Sequence, residues 1–229
     1  MSRLSTVTTE GGFVVVEIAN GVKHHLHRAL LIQHSEYFKK ALNGPWKESH
    51  EGVVRLDDVK SGPFNIFVDR LYSGKVPLED DYHQNCKGED TRDIIKLGAI
   101  ALGNRSMAPA FAKATQKHFI DKHLAKWASR ERHCKSPSFE VIICAFSILR
   151  NDNDILKMLV DQHVSYYTVS PASDALVEGR KVKDRLPHEL LVRVIHKYGQ
   201  TKTRNGYLLR ACDYHGHASQ DERALCAGA

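Results

Sequence analysis

The fold is decided first at residues 13–27, which read FVVVEIANGVKHHLH. The first six of these residues are rich in β-branched side chains, a composition typical of a β-strand. Asn20-Gly21 follows, and this pair favours the positive φ angles of a tight hairpin turn. Residues 22–27 are therefore predicted to return antiparallel to the first strand.

After the hairpin, the apolar residues recur with a helical period. Ser35 is expected to cap a helix, because its hydroxyl can accept a hydrogen bond from the first turn. Residues 53–56 predict a further strand. Residues 61–73 give the clearest helix, with Ser61 as its cap and an apolar stripe at i, i+3, i+4, i+7 and i+8. The stripe consists of Phe64, Phe67, Val68, Leu71 and Tyr72.

The second half of the chain predicts helices in succession. They are expected from Asp93 onward, over residues 107–129, over residues 139–149 and 154–163, and around residues 190–198. A hairpin and a short strand followed by helices is an α+β pattern.

Four segments, in this order and spacing, resemble the successive signatures of a BTB/POZ domain, and most of all its fungal branch. They are His27-Arg28-Ala29-Leu30-Leu31, His34-Ser35-Glu36-Tyr37-Phe38, Val54-Arg55-Leu56-Asp57-Asp58-Val59, and the stretch from Phe64 through Leu71-Tyr72-Ser73-Gly74-Lys75-Val76-Pro77. The resemblance implies an α+β BTB/POZ fold, a helical cluster with a small sheet and an N-terminal β-hairpin, followed by an all-α extension. Residues 1–12 are expected to be a flexible lead-in, 13–130 the BTB/POZ domain, 131–200 the helical extension and 201–229 a polar tail containing Cys and His.

The same resemblance implies a protein–protein interaction role, as a homodimeric scaffold or adaptor without enzymatic activity. A dimer surface is expected within about residues 13–42, with the apolar residues Leu30, Leu31, Tyr37 and Phe38 as candidates, some of which must belong to the core.

An alternative is a substrate adaptor of a cullin–RING ubiquitin ligase. Members that bind a cullin carry a hydrophobic residue, any residue and then Glu before the second strand region, a position occupied here by Trp46-Lys47-Glu48. An exposed aromatic beside an acid is a plausible hot-spot pair. The competing interpretation is that Trp46 packs on its own domain and Glu48 is solvated.

A second alternative is a nuclear regulator that associates with nucleic acid. The net charge of +6 is unevenly distributed: residues 1–112 are neutral, whereas 113–135 carry +5 and 180–210 carry +7. Lys122, Lys126 and Arg130 form a stripe that is most simply an exposed helix face. Because most of the resembling domain is neutral, nucleic-acid binding is not the favoured interpretation.

The tail offers a candidate zinc site, since two cysteines and two histidines suffice for tetrahedral coordination. These are Cys212, His215, His217 and Cys226. Their order is not that of a usual zinc finger, and a polar tail with reduced cysteines is the alternative. No other cofactor is expected, because the nucleotide-binding and hydrolase motifs are missing. The sequence shows neither an apolar run long enough to span a membrane nor a secretory signal, so a cytoplasmic or nuclear protein is expected.

Overall fold

The computed structural model describes residues 11–77, 88–128, 137–169, 180–201, 214, 216–217 and 219–227. Two short 3₁₀ turns, Ala19–Gly21 and Lys183–Arg185, accompany the strands and helices. The strands and α-helices, numbered in chain order, are β1 Phe13–Ile18, β2 Val22–His27, α1 Arg28–His34, α2 Glu36–Asn43, α3 Lys47–Glu51, β3 Val53–Leu56, α4 Ser61–Ser73, α5 Glu89–Arg105, α6 Pro109–Ala128, α7 Phe139–Ile148, α8 Asp154–Val169, α9 His188–Thr201 and α10 Gln220–Ala227. The predicted α+β class, a small sheet followed by helices, is confirmed.

The chain divides into two compact units. The first unit comprises residues 1–87 and 95–116, and the second comprises 88–94 and 117–229. Helices α5 and α6 each contribute residues to both units. The first unit thus takes its last residues from within α6, whereas the sequence places the end of the domain at residue 130.

The predicted hairpin is confirmed. Strands β1 and β2 pair antiparallel, with Val16 opposite His24, and β3 lies parallel to β1 on its other edge, giving the order β2-β1-β3. Asn20 has φ 63° and Gly21 has φ 70°. The Asn-Gly pair therefore adopts the positive φ angles that a tight turn requires.

Aromatic side chains fill the core of the first unit. The ring of Phe67 lies 6.1 Å from that of Phe38, 5.9 Å from that of Phe64 and 5.2 Å from that of Phe111. These four rings come from α2, α4 and α6, and all are buried. Ring pairs at such distances add to the stabilisation given by burial of their area.

Three candidates for the dimer surface belong to this core instead. Leu30, Leu31 and Phe38 are each no more than 1% exposed, because the inner face of α1 and α2 packs into the core of the first unit. Tyr37 is half-buried. The placement of these three apolar residues at a surface was wrong, since periodicity identifies an apolar face but not what covers it.

The predicted helix starts agree with the structure at Ser35 but not at Ser61 or Asp93. The Ser35 hydroxyl accepts a hydrogen bond from Phe38 N at 3.2 Å, so the predicted cap is confirmed. Ser61 is instead the first helical residue of α4, and the preceding Lys60 provides no side-chain cap. Helix α5 begins at Glu89, four residues before the predicted Asp93.

The second unit is helical in its described parts and carries ionisable groups in its interior. Asp93 of α5 lies 3.0 Å from Lys122 Nζ and 3.1 Å from His123 Nε2, both of α6. Burial alone would raise the pKa of Asp93, but the hydrogen bond from His123 and the charges of His123 and Lys122 outweigh it, so the pKa is lowered. Asp161 of α8 forms a second network, with Lys197 Nζ at 2.8 Å and the donating hydroxyl of Tyr214 at 2.8 Å.

None of the helices in the described ranges combines the length and the apolar character needed to cross a bilayer.

Candidate protein-interaction site

The start of α3 presents a large aromatic side chain to solvent. Trp46 immediately precedes α3 and is 58% exposed. Its indole lies across the backbone of Gly44, where a Cβ would come within 2.5 Å of Trp46 Cδ1 and 2.7 Å of the Lys40 carbonyl oxygen. Glycine at position 44 therefore holds the indole in place without covering it. Of the two sequence interpretations, the structure favours exposure over packing into the domain.

Short hydrogen bonds fix the orientation of α3. Ser49 Oγ donates to the Leu42 carbonyl at 2.7 Å, which ties α3 to the end of α2. Arg28 Nη2 donates to the same carbonyl at 2.8 Å. Gly52 ends the helix with φ 64°, a left-handed conformation that favours glycine. The segment that carries the exposed indole is therefore held in place by hydrogen bonds.

Glu48 lies in the first turn of α3 and is half-buried. Its carboxylate makes no hydrogen bond or ion pair with any residue that the structure describes. Glu48 therefore presents an uncompensated negative charge two residues from Trp46.

Tyr37 lies within electrostatic range of this carboxylate. Burial raises the pKa of the Tyr37 hydroxyl, and the charge of Glu48 raises it further, whereas Arg105 opposes the shift. Arg105 is itself paired with Asp58. We call these five residues, Tyr37, Trp46, Glu48, Asp58 and Arg105, the Trp46 surface.

The Trp46 surface is suited to binding rather than to catalysis. It combines one exposed indole, one phenol that stays protonated and a few charges, with no nucleophile or base activated by a neighbour. Tryptophan, tyrosine and arginine are the residue types that dominate protein-interface hot spots.

Sequence reasoning identified Trp46 and Glu48 but missed Tyr37 in this role, as well as Asp58 and Arg105. Tyr37 was assigned to a dimer surface, and Asp58 was regarded as the end of a strand. Residues 58 and 105 are far apart in the chain, and no local pattern predicts that they meet.

Most of the predicted zinc ligands cannot be placed. Cys212 and His215 lie outside the described residues, as does the side chain of Cys226, while His217 is half-buried. Among the residues that the structure does describe, no group of three His, Cys, Asp or Glu side chains is arranged to hold a metal. The zinc site stays a prediction.

Ion pairs within the protein neutralise part of the two basic segments. Lys122 was expected on an exposed face, but its side chain is 10% exposed and pairs with Asp93 and Glu89. In the distal segment, Arg185 makes two 2.7 Å contacts with Glu140. The side chain of Lys126 and the whole of Arg130 lie outside the part of the chain that the structure describes.

Comparison with known proteins bears on the domain that carries four of the five residues of the Trp46 surface, all but Arg105. The BTB/POZ domain family matches residues 13–89. Residues 13–89 are a BTB/POZ domain. A BTB/POZ domain is a protein-interaction module rather than a catalytic one, in agreement with the chemistry of the Trp46 surface.

Mammalian relatives agree with this assignment. The mouse (Mus musculus) Kelch repeat and BTB domain-containing protein 4 is 36% identical over 61 residues, which are 27% of this chain and 11% of that protein. Its human (Homo sapiens) counterpart is 36% identical over 58 residues, 25% of this chain and 11% of that protein. Mouse Kelch-like protein 26 is 24% identical over 141 residues, 54% of this chain and 23% of that protein.

The chain thus spans less than a quarter of the length of these curated relatives. The alignment with Kelch-like protein 26 is longer than the BTB/POZ domain itself, so the likeness extends beyond residues 13–89. These relatives are mammalian, and the similarity to fungal members stays a prediction.

Proposed function

We propose that this protein is an interaction adaptor whose BTB/POZ domain docks a scaffold protein through the Trp46 surface. The observation that supports this most is the pairing of an exposed indole with an uncompensated carboxylate at the start of α3. Burial of the indole supplies apolar area, and the carboxylate of Glu48 selects a partner with a cation or hydrogen-bond donor at the matching point.

A cullin is the scaffold that best fits this proposal. The resemblance to cullin-binding BTB proteins predicts a hydrophobic contact at Trp46 and an acidic contact at Glu48, and the exposure of Trp46 and the half-buried position of Glu48 support this. The recruited substrate would have to be bound elsewhere in the protein.

The test is recovery of a purified cullin N-terminal domain by the full-length protein and by two variants. Trp46→Ala removes the apolar contact, and Glu48→Lys reverses the charge. Each variant is expected to weaken binding at least about tenfold, because hot-spot truncations commonly cost that much.

Two control substitutions separate this site from general effects. Ile148→Ala removes an exposed apolar side chain of the second unit, and Asp184→Lys makes the same charge change on an exposed acid of that unit. Both should bind as the wild type does. Equal binding by all five proteins, or no binding by any, would exclude a cullin contact at the Trp46 surface.

Homodimerisation is a second candidate, supported by a different observation. Phe13 begins β1 and is 63% exposed, with its ring 4.3 Å from that of His27. An exposed aromatic at the start of a sheet can be covered by a second copy. Light scattering of the full-length protein at about 50 µM should then show a dimer that Phe13→Ser weakens. A monomer at that concentration would remove the homodimer from consideration.

A further inference from the structure

Helix α9 in the second unit has apolar residues on two opposite sides. Leu190 is 1% exposed and packs inward. Leu191, Val192 and Ile195 are 43%, 47% and 72% exposed. Apolar residues of α9 thus lie both on its buried side and on its exposed side.

The three exposed residues form one continuous patch, which we call the α9 stripe. Ile195 lies four residues after Leu191 and three after Val192, and both spacings place side chains on the same side of a helix. Single exposed apolar residues are ordinary, but three within five residues of one helix are a feature of interacting surfaces.

Free cations precede the α9 stripe. Arg180, Lys181 and Lys183 are exposed and form no ion pair with any residue that the structure describes. Arg185, by contrast, is neutralised by Glu140. The N-terminal end of α9 also carries the positive end of the helix dipole. The exposed carboxylate of Asp184 offsets one of these charges, so a net positive charge still precedes the start of α9.

We propose that the α9 stripe and the three preceding cations dock an amphipathic helix of a partner protein with acidic residues on its polar side. Leu191, Val192 and Ile195 would contact apolar residues spaced along one face of that helix. Arg180, Lys181 and Lys183 would attract its carboxylates and speed the encounter. This proposal does not depend on the Trp46 surface, which lies in the first unit.

Charge argues against a second copy as the occupant. Residues 180–210 contain nine basic and two acidic residues. In a parallel pair of α9 helices, the cations at positions 180–183 would face their own copies. In an antiparallel pair, they would face the C-terminal part of α9, which has no acidic residue after Glu189. Neither arrangement pairs these cations with a carboxylate.

A membrane surface fits less well than an acidic helix. Helices that lie in a bilayer interface commonly use Trp or Phe among their inserted residues and need a broad apolar face. The α9 stripe is short and purely aliphatic, and the opposite side of α9 is tied to the protein through Lys197 and Asp161. A helix of similar width is the better geometric match.

The experiment measures binding of two synthetic fluorescent helical peptides to the full-length protein by anisotropy. Both peptides carry Leu at i, i+3, i+4 and i+7, and they differ only in having Glu or Lys at the polar positions. The Glu peptide should bind at least about tenfold more tightly than the Lys peptide, and its affinity should fall as salt rises.

Variants locate the site on α9. Ile195→Glu should weaken binding of the Glu peptide at least about tenfold, whereas Ile148→Glu, at another exposed isoleucine of the second unit, should leave it unchanged. The double variant Lys181→Glu/Lys183→Glu should reverse the preference between the two peptides. Circular dichroism checks that each variant keeps its helical content.

Several results would overturn the proposal. Equal affinity for the two peptides would remove the charge argument, and full binding by Ile195→Glu would remove the stripe. Binding to vesicles of phosphatidylserine and phosphatidylcholine, but to neither peptide, would reassign the surface to lipid. Retention of a nucleic-acid duplex, but of neither peptide, would reassign it to phosphate. A dimer that Ile195→Glu dissociates would assign it to a second copy.

Discussion

The interiors of the two units are stabilised in different ways. In the first unit, Phe38, Phe64, Phe67 and Phe111 pack ring against ring. In the second unit, buried carboxylates such as Asp161 are held by cations and hydrogen bonds. Aromatic packing depends on shape and volume, whereas a buried charge depends on the ionisation of every partner. The two units should therefore respond differently to cavities and to pH.

This difference also bears on how each unit presents a binding surface. The first unit carries Trp46 beside a short helix that a side-chain hydrogen bond from Ser49 holds against the end of α2. In the second unit, internal ion pairs neutralise many cations, and Arg180, Lys181 and Lys183 remain for a partner. A lysine that pairs with a buried carboxylate such as Asp93 or Asp161 is unavailable to a partner at the surface. The buried ion pairs therefore limit which cations can contribute to a binding surface.

The largest expected effect is a cavity in the first unit. Phe67→Ala would remove the ring that contacts three other rings and should lower the free energy of unfolding by about 4 kcal/mol. Amide hydrogen exchange followed by mass spectrometry should show faster exchange in peptides of the first unit. The more conservative Phe67→Leu should cost less. Faster exchange confined to the second unit would contradict the assignment of Phe67 to this core.

The next largest effect is a dependence of the stability of the second unit on pH. Burial lowers the pKa of His163 in α8 to about 4. In the unfolded chain, the same imidazole binds a proton near its ordinary pKa of 6.5. Stability should therefore fall as the pH drops from 6.5 to 4, by about 3 kcal/mol from this group, because the unfolded state binds the proton first.

The measurement is hydrogen exchange of each unit between pH 7 and pH 4.5, corrected for intrinsic rates. His163→Gln should reduce the pH dependence of the second unit. Burial also lowers the pKa of His24 in the first unit, so that unit will respond with the same sign. An unchanged pH dependence in His163→Gln would show that this imidazole does not control the response.

Much of the first unit could be predicted from sequence because its signals are local. The Asn20-Gly21 pair specifies its turn through backbone conformation alone, and Ser35 caps its helix within three residues. The stripe on α4 was likewise predicted, and Phe64, Phe67 and Leu71 are buried as expected. The error at Leu30, Leu31 and Phe38 concerned what covers an apolar face, which depends on distant elements.

The second unit was harder to predict because its decisive contacts join distant residues. Lys122 reads as part of an exposed basic stripe until Asp93, from another helix, is seen to pair with it. The exposure of Ile195 was equally hidden, since a helix with apolar residues on two sides gives the same sequence pattern as a broad buried face. The Trp46 surface could be predicted only in part, because a local motif identifies Trp46 and Glu48 but not Arg105.

A smaller effect should follow from loosening one network of the second unit. The hydroxyl of Tyr214 donates to Asp161 Oδ2 at 2.8 Å, and the Lys157 ammonium lies 5.4 Å from the centre of the Tyr214 ring. Tyr214→Phe keeps the ring and removes the donor, so it should lower the free energy of unfolding by about 1.5 kcal/mol. Chemical denaturation compared with the wild type measures this change.

The matched control for Tyr214→Phe is Tyr37→Phe, at a half-buried tyrosine of α2 whose hydroxyl makes no hydrogen bond with any residue that the structure describes. If both substitutions have the same small effect, the hydrogen bond to Asp161 contributes no specific stability. In that case the contrast between an aromatic interior and a charged one would rest on Asp93 and its partners alone.

The smallest expected effect on stability is at Trp46, and it tests whether this residue lies outside the aromatic core of the first unit. Trp46 is as large as any aromatic of the first unit, yet it is 58% exposed and lies outside the ring cluster. Trp46→Ala should therefore change the free energy of unfolding by no more than about 0.5 kcal/mol, an ordinary value for a surface position. Denaturant unfolding of Trp46→Ala beside Phe67→Ala tests this directly. A loss comparable to that of Phe67→Ala would make Trp46 part of the core, and a binding defect in Trp46→Ala could then no longer be attributed to a missing contact with a partner.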